Sequence, residues 1–370
     1  MTGEAPLRVV IAGGGTGGHL YPGIAIAREL VSRRPDAQIS FAGTARGIEA
    51  RVVPREGHAL DVIRSGGLKG KSMAARARGV ALVPLSLVDA WRVVSARRPH
   101  VVIGVGGYSS GPVVLVAALR GIPTMLLEQN AVPGLTNRLL AGFVRAAAVT
   151  FESTRSFFGS KAFVSGNPVR PEFLNAVGTR ARESGAHDQA SSVGVLVFGG
   201  SQGAHAINLA MVAAAPELVA SGARLRLVHQ TGESDVEMVR AGYRAAGLEA
   251  EVEPFLFDMA RRMVDADLIV CRAGATTLAE ITAAGKPAIL VPLPTAADDH
   301  QRRNAEMLAA AGAAGVLVQS EMSGPVLARR ICTLAADREA RTRMGMRASA
   351  LARPDAARVI VDRALELVQQ

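Results

Sequence analysis

The sequence predicts an α/β fold in which two doubly wound parallel-sheet domains face each other across a cleft. Three observations predict it. Short, β-rich apolar runs alternate with amphipathic helical stretches, the alternation occurs twice, and glycine-rich loops end apolar strands in both halves. A length of 370 residues suits two domains, because single hydrophobic cores seldom grow past about 250–300 residues. An apolar content of 49% is ample for both cores.

In the first half the predicted strands are Leu7–Ala12, Gln38–Ala42, Val101–Val105, Thr124–Leu127 and Ala146–Thr150. They are apolar throughout, as strands covered on both faces are. Between them, Pro22–Arg33 and Val113–Arg120 read as helices. In the second half Val193–Phe198, Arg224–Gln230, Asp267–Cys271 and Ala288–Val291 read as strands, and Ala204–Ala215, Thr276–Ala284 and Gln301–Ala311 as helices. Pro99, Pro123 and Pro287 stop helices just before strands. The division is set near GNPVRPEF (166–173), giving domains 1–165 and 166–354. The polar run 178–192 reads as a loop. Pro354-Asp355 starts a last helix, Ala356–Val368, so 355–370 stands apart and can pack back on the first domain.

Charge separates the halves. Residues 1–165 carry 20 Lys+Arg against 9 Asp+Glu, a net of +11, while 166–370 carry 22 against 23, a net of −1. A basic first half points to a polyanionic partner: nucleic acid, anionic lipid or a diphosphate. The preference for Arg over Lys explains the choice of cation but not the asymmetry. The two cysteines, Cys271 and Cys332, lack CxxC spacing, which argues against a disulfide framework or a structural zinc and fits a reducing compartment. The N-terminus has no basic-then-apolar signal pattern, and no apolar stretch reaches the ~20 residues a membrane span needs. A cytosolic protein with at most peripheral membrane contact is expected.

GGGTGGH (13–19), GGYSSGP (106–112) and GGSQGA (199–204) each follow an apolar strand. Glycines at a strand end let main-chain N–H groups approach an anion, and the following helix N-terminus adds partial positive charge. A tight turn without ligand is the alternative for any one loop; three at strand ends favour phosphate. Gly13, Gly15 and Gly18 also satisfy GxGxxG. The second strand, however, ends ISFAGT (39–44) without the acid a dinucleotide ribose needs, and Glu49 falls in the next helix. Hydride transfer is therefore disfavoured. Tyr108, Ser109 and Ser110 offer hydroxyls to phosphate oxygens, or form a polar turn.

The stretch CRAGATTLAEITAAGKPAILVPLPTAADDHQRRNA (271–305) places hydroxyls at a helix start and Glu280 one turn in. A carboxylate on a helix can accept both hydroxyls of a ribose. Thr276 and Thr277 can cap the helix or bind phosphate, and His300 and Gln301 can hydrogen-bond sugar hydroxyls. The competing reading is a solvated Glu280 and a surface loop.

Across most of its length the chain resembles the MurG family of bacterial cell-wall glycosyltransferases. GGTGGHLYPG (14–23), GLKGK (67–71), GVGGYSSGP (104–112), EQNAVPGLTN (128–137), GNPVR (166–170), GGSQGA (199–204), CRAGATTLAE (271–280), GKPAILVPLP (285–294) and DDHQRRNA (298–305) carry the likeness in order. Each loop is a weak signal; jointly they are strong. The resemblance implies the GT-B architecture, two Rossmann-like domains, with UDP-N-acetylglucosamine as donor and a lipid-linked muramoyl-pentapeptide as acceptor. It implies donor contacts at Thr16, Gly17, Gly18, Asn130, Arg170, Ser201, Leu256, Ala275, Thr276, Thr277, Glu280, His300 and Gln301. Arg170 and the Leu256 main chain would lie near the uracil, Ser201 near the diphosphate and Glu280 at the ribose. Gly14, Gly15, Gly106, Gly107, Tyr108 and Ser109, with Thr16 and His19, would face the acceptor diphosphate. Other cell-wall synthesis proteins are implied as further partners, at the cytoplasmic face of the plasma membrane.

Both readings converge on inverting glycosyl transfer, which needs stabilisation of departing UDP and a base for the acceptor hydroxyl. His19 is the candidate base, with diphosphate hydrogen bonding as its competing role. No cofactor and no metal site are expected: the only DxD-like string, Asp265–Asp267, runs into a strand start. Lys69, Lys71, Arg76 and Arg78, followed by Leu82, Val83, Leu87 and Trp91, suit an anionic bilayer surface; an ordinary core-facing helix is the alternative. A soluble-acceptor glycosyltransferase or a sugar-nucleotide epimerase is the rival enzyme. A nucleic-acid-binding protein is disfavoured by an aromatic content of 4%.

Overall fold

The computed structural model describes residues 6–66, 81–183, 192–200 and 203–370. Lys69, Lys71, Arg76, Arg78 and Ser201 lie outside these residues. The chain forms two units, Met1–Arg170 with Arg353–Gln370, and Pro171–Ala352. The crossings fall at 170/171 and 352/353, where the sequence reading placed them at 165/166 and 354/355. Arg170 therefore closes the first unit, where its guanidinium lies 4.8 Å from the centroid of the Tyr21 ring.

The first unit runs β1 (Arg8–Gly13), α1 (Gly17–Arg33), β2 (Gln38–Gly43), α2 (Glu49–Arg55), β3 (Ala59–Val62), α3 (Val83–Arg97), β4 (Val101–Gly106), α4 (Ser110–Leu119), β5 (Thr124–Glu128), α5 (Leu135–Leu140), β6 (Ala146–Val149), α6 (Glu152–Phe158) and β7 (Ala162–Val164). Its described residues make a parallel seven-stranded sheet ordered β3-β2-β1-β4-β5-β6-β7. Alternation along β1 shows why the strand is apolar throughout. Val9 and Ile11 enter one core with Leu20, Ile24 and Leu30 of α1. Val10 and Ala12 enter another with Val93 and Val94 of α3 and Val113 and Val114 of α4.

The second unit runs α7 (Pro171–Glu183), β8 (Val193–Phe198), α8 (His205–Ala220), β9 (Leu225–Gln230), α9 (Val236–Ala246), β10 (Ala250–Glu253), α10 (Met259–Asp265), β11 (Leu268–Cys271), α11 (Ala275–Ala284), β12 (Ala288–Leu290), α12 (His300–Ala310), β13 (Gly315–Val316), α13 (Gly324–Ala336) and α14 (Arg338–Ala350). Its described strands form a parallel sheet ordered β10-β9-β8-β11-β12-β13. The closing helix, α15 (Ala356–Gln369), buries Ile360, Val361, Ala364 and Leu367 in the first unit's core beside α1.

Four strands absent from the sequence reading, β3, β7, β10 and β13, are the outer strands of the two sheets. β7 and β13 are only three and two residues long, and β3 and β10 interrupt their apolar residues with Asp61 and with Glu251 and Glu253, as strands not covered on both faces do. Two helix bounds also differ. Helix α1 begins at Gly17, not Pro22, and α8 runs through Pro216 to Ala220. In both, a proline sits inside the helix at the cost of one main-chain hydrogen bond. Burial of Leu20 and Ile24 in α1, and of Ala214, Ala215 and Leu218 in α8, outweighs that local preference.

In each sheet the order reverses next to the first strand: between β1 and β4, and between β8 and β11. Ligands of open parallel sheets bind beyond the carboxyl ends of strands at such points. The loops there include 14–16, 107–109 and 272–274, and the first two belong to the glycine-rich segments already singled out.

Candidate active site

At the first switch point Gly13, Gly14, Gly15, Gly106 and Gly107 all have positive φ, a region costly to side-chain-bearing residues. The two loops touch. A Cβ on Gly107 would meet the Gly14 carbonyl oxygen at 2.6 Å, and one on Gly106 would meet Nδ1 of His19 at 2.6 Å. His19, in the first turn of α1, is thereby set against the β4 loop. Thr16 is the N-cap, yet its side chain makes no cap hydrogen bond.

The main-chain donors are not all open. Gly14 N–H donates to the Gly106 carbonyl at 3.3 Å. Gly15 N–H donates to Oε2 of Glu49 at 2.8 Å. This corrects the expectation that Gly14 and Gly15 offer their N–H groups to a diphosphate: both are spent within the protein. Ser109 is buried and Ser110 fully so, with the Ser110 hydroxyl turned toward Gly104. Of the three hydroxyl-bearing residues Tyr108, Ser109 and Ser110, Tyr108 is the exposed one.

Asn130 follows β5 in a loop built around a buried carboxylate. Oε1 of Glu128 accepts from Asn130 N–H at 3.0 Å and Asn130 Nδ2 at 3.3 Å, and Oε2 accepts from Gly134 N–H at 2.9 Å and Asn137 Nδ2 at 2.8 Å. Burial raises the Glu128 pKa, and the four donors oppose the shift. The nearby Gln129 amide donates to the Val105 carbonyl at 2.8 Å, which ties this loop to β4.

In the second unit, α11 starts from Gly274 as N-cap with no side-chain cap. Neither Thr276 nor Thr277 is therefore the N-cap residue. Glu280 is only 4% exposed, which excludes the solvated-helix reading. Its charge adds to burial in raising the Cys271 thiol pKa, so the carboxylate stands near the end of β11. Gln301 Oε1 accepts from Ala273 N–H at 3.2 Å and Leu293 N–H at 3.0 Å. That fixes the amide so that Nε2 is left as its donor. His300 Nδ1 donates to the Ala297 carbonyl at 2.7 Å, leaving Nε2 as the other ring nitrogen. Asp298 and Asp299 both take left-handed φ, near 55° and 53°, a strain of about 1–2 kcal/mol each. Arg272 braces the site by donating to the Val291 and Pro292 carbonyls and to Gln319 Oε1. The Leu256 side chain is buried between exposed Phe255 and Phe257. Asp267 accepts from Gly194 N–H at 2.8 Å. It precedes β11, at the sheet edge opposite these loops.

Comparison with known proteins settles the family. The N-terminal domain of glycosyltransferase family 28 matches residues 9–149, and its C-terminal domain matches 194–360. The chain belongs to glycosyltransferase family 28.

Within family 28 its likeness to curated relatives is nearly full-length. A Pelobacter propionicus protein is 49% identical, over 97% of this chain and 99% of the relative. A Myxococcus xanthus protein is 46% identical, over 98% and 94%. Each is named UDP-N-acetylglucosamine--N-acetylmuramyl-(pentapeptide) pyrophosphoryl-undecaprenol N-acetylglucosamine transferase. The crystal structure of Acinetobacter baumannii MurG is similar with a TM-score of 0.78 and 33% identity, over 98% of this chain and 100% of that one. A UDP-GlcNAc 2-epimerase from Neisseria meningitidis, at 14% identity and a TM-score of 0.68, shares the fold. These findings agree with two Rossmann-like parallel sheets and the GT-B architecture.

Sequence reasoning missed the supports of this family-28 site: buried Glu49, Glu128 and Asn137, and half-buried Arg272. One signal was available for Glu49. Gly14, Gly43 and Gly47 all clear space for its side chain, and the last two shortly precede it in sequence. Of the residues expected at a membrane, Leu87 packs on the first unit's core, Leu82 is half-buried, and Val83 and Trp91 are exposed. The exposed apolar residues of α3 are Val83, Leu85, Val88 and Trp91, because positions 87, 90 and 94 share the core-facing side.

Proposed function

We propose that this chain is an inverting hexosyltransferase of peptidoglycan synthesis. It moves N-acetylglucosamine from UDP-N-acetylglucosamine to the C4 hydroxyl of muramoyl-pentapeptide-diphospho-undecaprenol. The observation that carries the reading is likeness over essentially the whole chain, at 49% identity, to a transferase named for that donor and acceptor. In the transfer, the acceptor oxygen bonds to the anomeric carbon as the bond to the UDP oxygen breaks. The hydroxyl proton passes to a base, for which His19 is the candidate. Departing UDP gains charge that N–H groups and hydroxyls at the starts of α8 and α11 can stabilise without reorganisation. Glu280 recognises the ribose, and the Gln301 amide donates to a hydroxyl of the sugar. Thr16 and Tyr108 serve the acceptor diphosphate.

The acceptor's lipid requires contact with a membrane. No helix among the described residues is long and apolar enough to cross one. Peripheral binding is supported by Trp91, 56% exposed, Val83, Leu85 and Val88 on α3 and Leu119, 71% exposed, at the end of α4. The Arg120 guanidinium lies 4.7 Å from the Trp91 ring centroid, adding a cation to this apolar patch.

The test is to incubate the protein with a panel of UDP-sugars and a lipid-linked muramoyl acceptor and follow UDP release. Release with UDP-N-acetylglucosamine that depends on the acceptor supports the proposal. Conversion of the donor alone to an epimer, or transfer only to soluble acceptors, rejects it.

A further inference from the structure

We infer that Glu49 is a positioning residue for the transfer reaction, holding the β1–α1 glycine loop so that the residues after Gly15 meet substrate. The inference rests on the reading that this loop serves the acceptor. Glu49 opens α2, and its side chain is fully buried. One carboxylate oxygen takes Gly15 N–H at 2.8 Å. The other takes Thr44 N–H at 2.8 Å and the Thr44 hydroxyl at 2.7 Å. The Thr44 hydroxyl in turn accepts from Gly47 N–H at 3.1 Å. A Cβ on Gly14, Gly43 or Gly47 would fall on this side chain, so three glycines make its chamber. A buried carboxylate is costly where filling the space is all that is needed, since an apolar residue does that without desolvation. What the carboxylate adds is a three-donor clamp between the loops that follow β1 and β2.

The clamp has two effects. It turns Gly15 N–H inward, and it leaves Thr16 and Gly18 exposed, with His19 against the β4 loop. It also sets a negative charge behind a loop expected to meet a diphosphate. The two possible roles of Glu49 therefore differ in sign. If its charge dominated, removing it would strengthen the acceptor reaction. If position dominates, removing it weakens that reaction.

E49Q tests this. Glutamine has one acceptor oxygen, so its NH2 must oppose either Gly15 N–H or Thr44 N–H. Acceptor kcat/KM is expected to fall about ten- to a hundredfold, as small misplacements do. UDP affinity, whose ribose contact Glu280 lies in the second unit, should stay within about twofold of wild type, since separate sites perturb each other little. Amide exchange at residues 15–19 should quicken while the β1 amides do not. An unchanged or faster acceptor reaction in folded E49Q overturns the inference, as does an equal loss of UDP affinity. E49D, which draws the charged group back by one methylene, serves if E49Q does not fold, with the same loss expected. If wild-type protein gives no acceptor-dependent UDP release, the transferase reading fails instead, and the amide-exchange comparison still judges the clamp.

Discussion

His19 shows how much geometry one glycine supplies. Its imidazole reaches the β4 loop because Gly106 has no side chain, and any Cβ there would collide with the ring. In the proposed reaction, His19→Ala should lower turnover by about a hundredfold or more, the scale of a lost proton acceptor. Its melting temperature should move little. Near-wild-type turnover removes His19 from the site. Glu280→Gln keeps shape and loses charge. UDP affinity should fall about tenfold, as for a hydrogen bond to a charged group, and an unchanged affinity by calorimetry would reject the ribose role. His229 belongs to stability. Its ring is buried, with Nδ1 2.7 Å from the Tyr243 hydroxyl and Nε2 3.0 Å from Asn208 Oδ1. Burial lowers its pKa to about 3. The unfolded chain therefore binds a proton that the folded one refuses between about pH 6.5 and 3. Stability is retained above pH 6.5 and falls as pH drops through that window, at most about 1.4 kcal/mol per pH unit from this group. Burial also lowers the pKa of His58 and His100, which add to the slope. Urea titrations from pH 7.5 to 5 should show a shallower slope in His229→Gln; an identical slope would assign the pH dependence elsewhere.

Among the elements, α3 divides its residues by periodicity. Ala90, Val93 and Val94 are buried in the core, while Val88 and Trp91 face outward. Trp91→Ala with Val88→Ser should leave the fold intact and weaken co-sedimentation with anionic vesicles about tenfold, in keeping with lost interfacial apolar area. Binding equal to wild type at low and high salt would reject this face as the membrane contact. The clamped loops follow a second rule. Two loops at the switch points are tied down by a side chain from a later helix: Glu49 of α2 for the loop after β1 and Gln301 of α12 for the loop after β11. Beyond the glycines that clear space for Glu49, these ties were not legible in sequence, because Glu49 and Gln301 each satisfy a main-chain donor remote from them along the chain. Strands buried on both faces were legible; edge strands with mixed faces were not.

At the scale of the molecule, α15 is distant in sequence from the sheet it covers. Ile360, Val361 and Leu367 are buried in the first unit, each contributing roughly 1.5–3 kcal/mol. Their sum is comparable with the whole stability of a typical domain, about 5–15 kcal/mol. Truncation after Ala352 should unfold or aggregate the protein, read as loss of the cooperative thermal transition; a wild-type melting temperature would refute this. The sequence by itself determined the α/β class, the central strands, the glycine loops and the family likeness, because covered strands and tight strand–helix turns demand particular residues locally. Only the tertiary structure decided which N–H groups remain for a ligand, which way the Gln301 amide points, and that Glu280 is buried. Hydrogen-bond partners across 34 residues, such as Glu49 and Gly15, are chosen by the path of the chain in space, and no local pattern records that path.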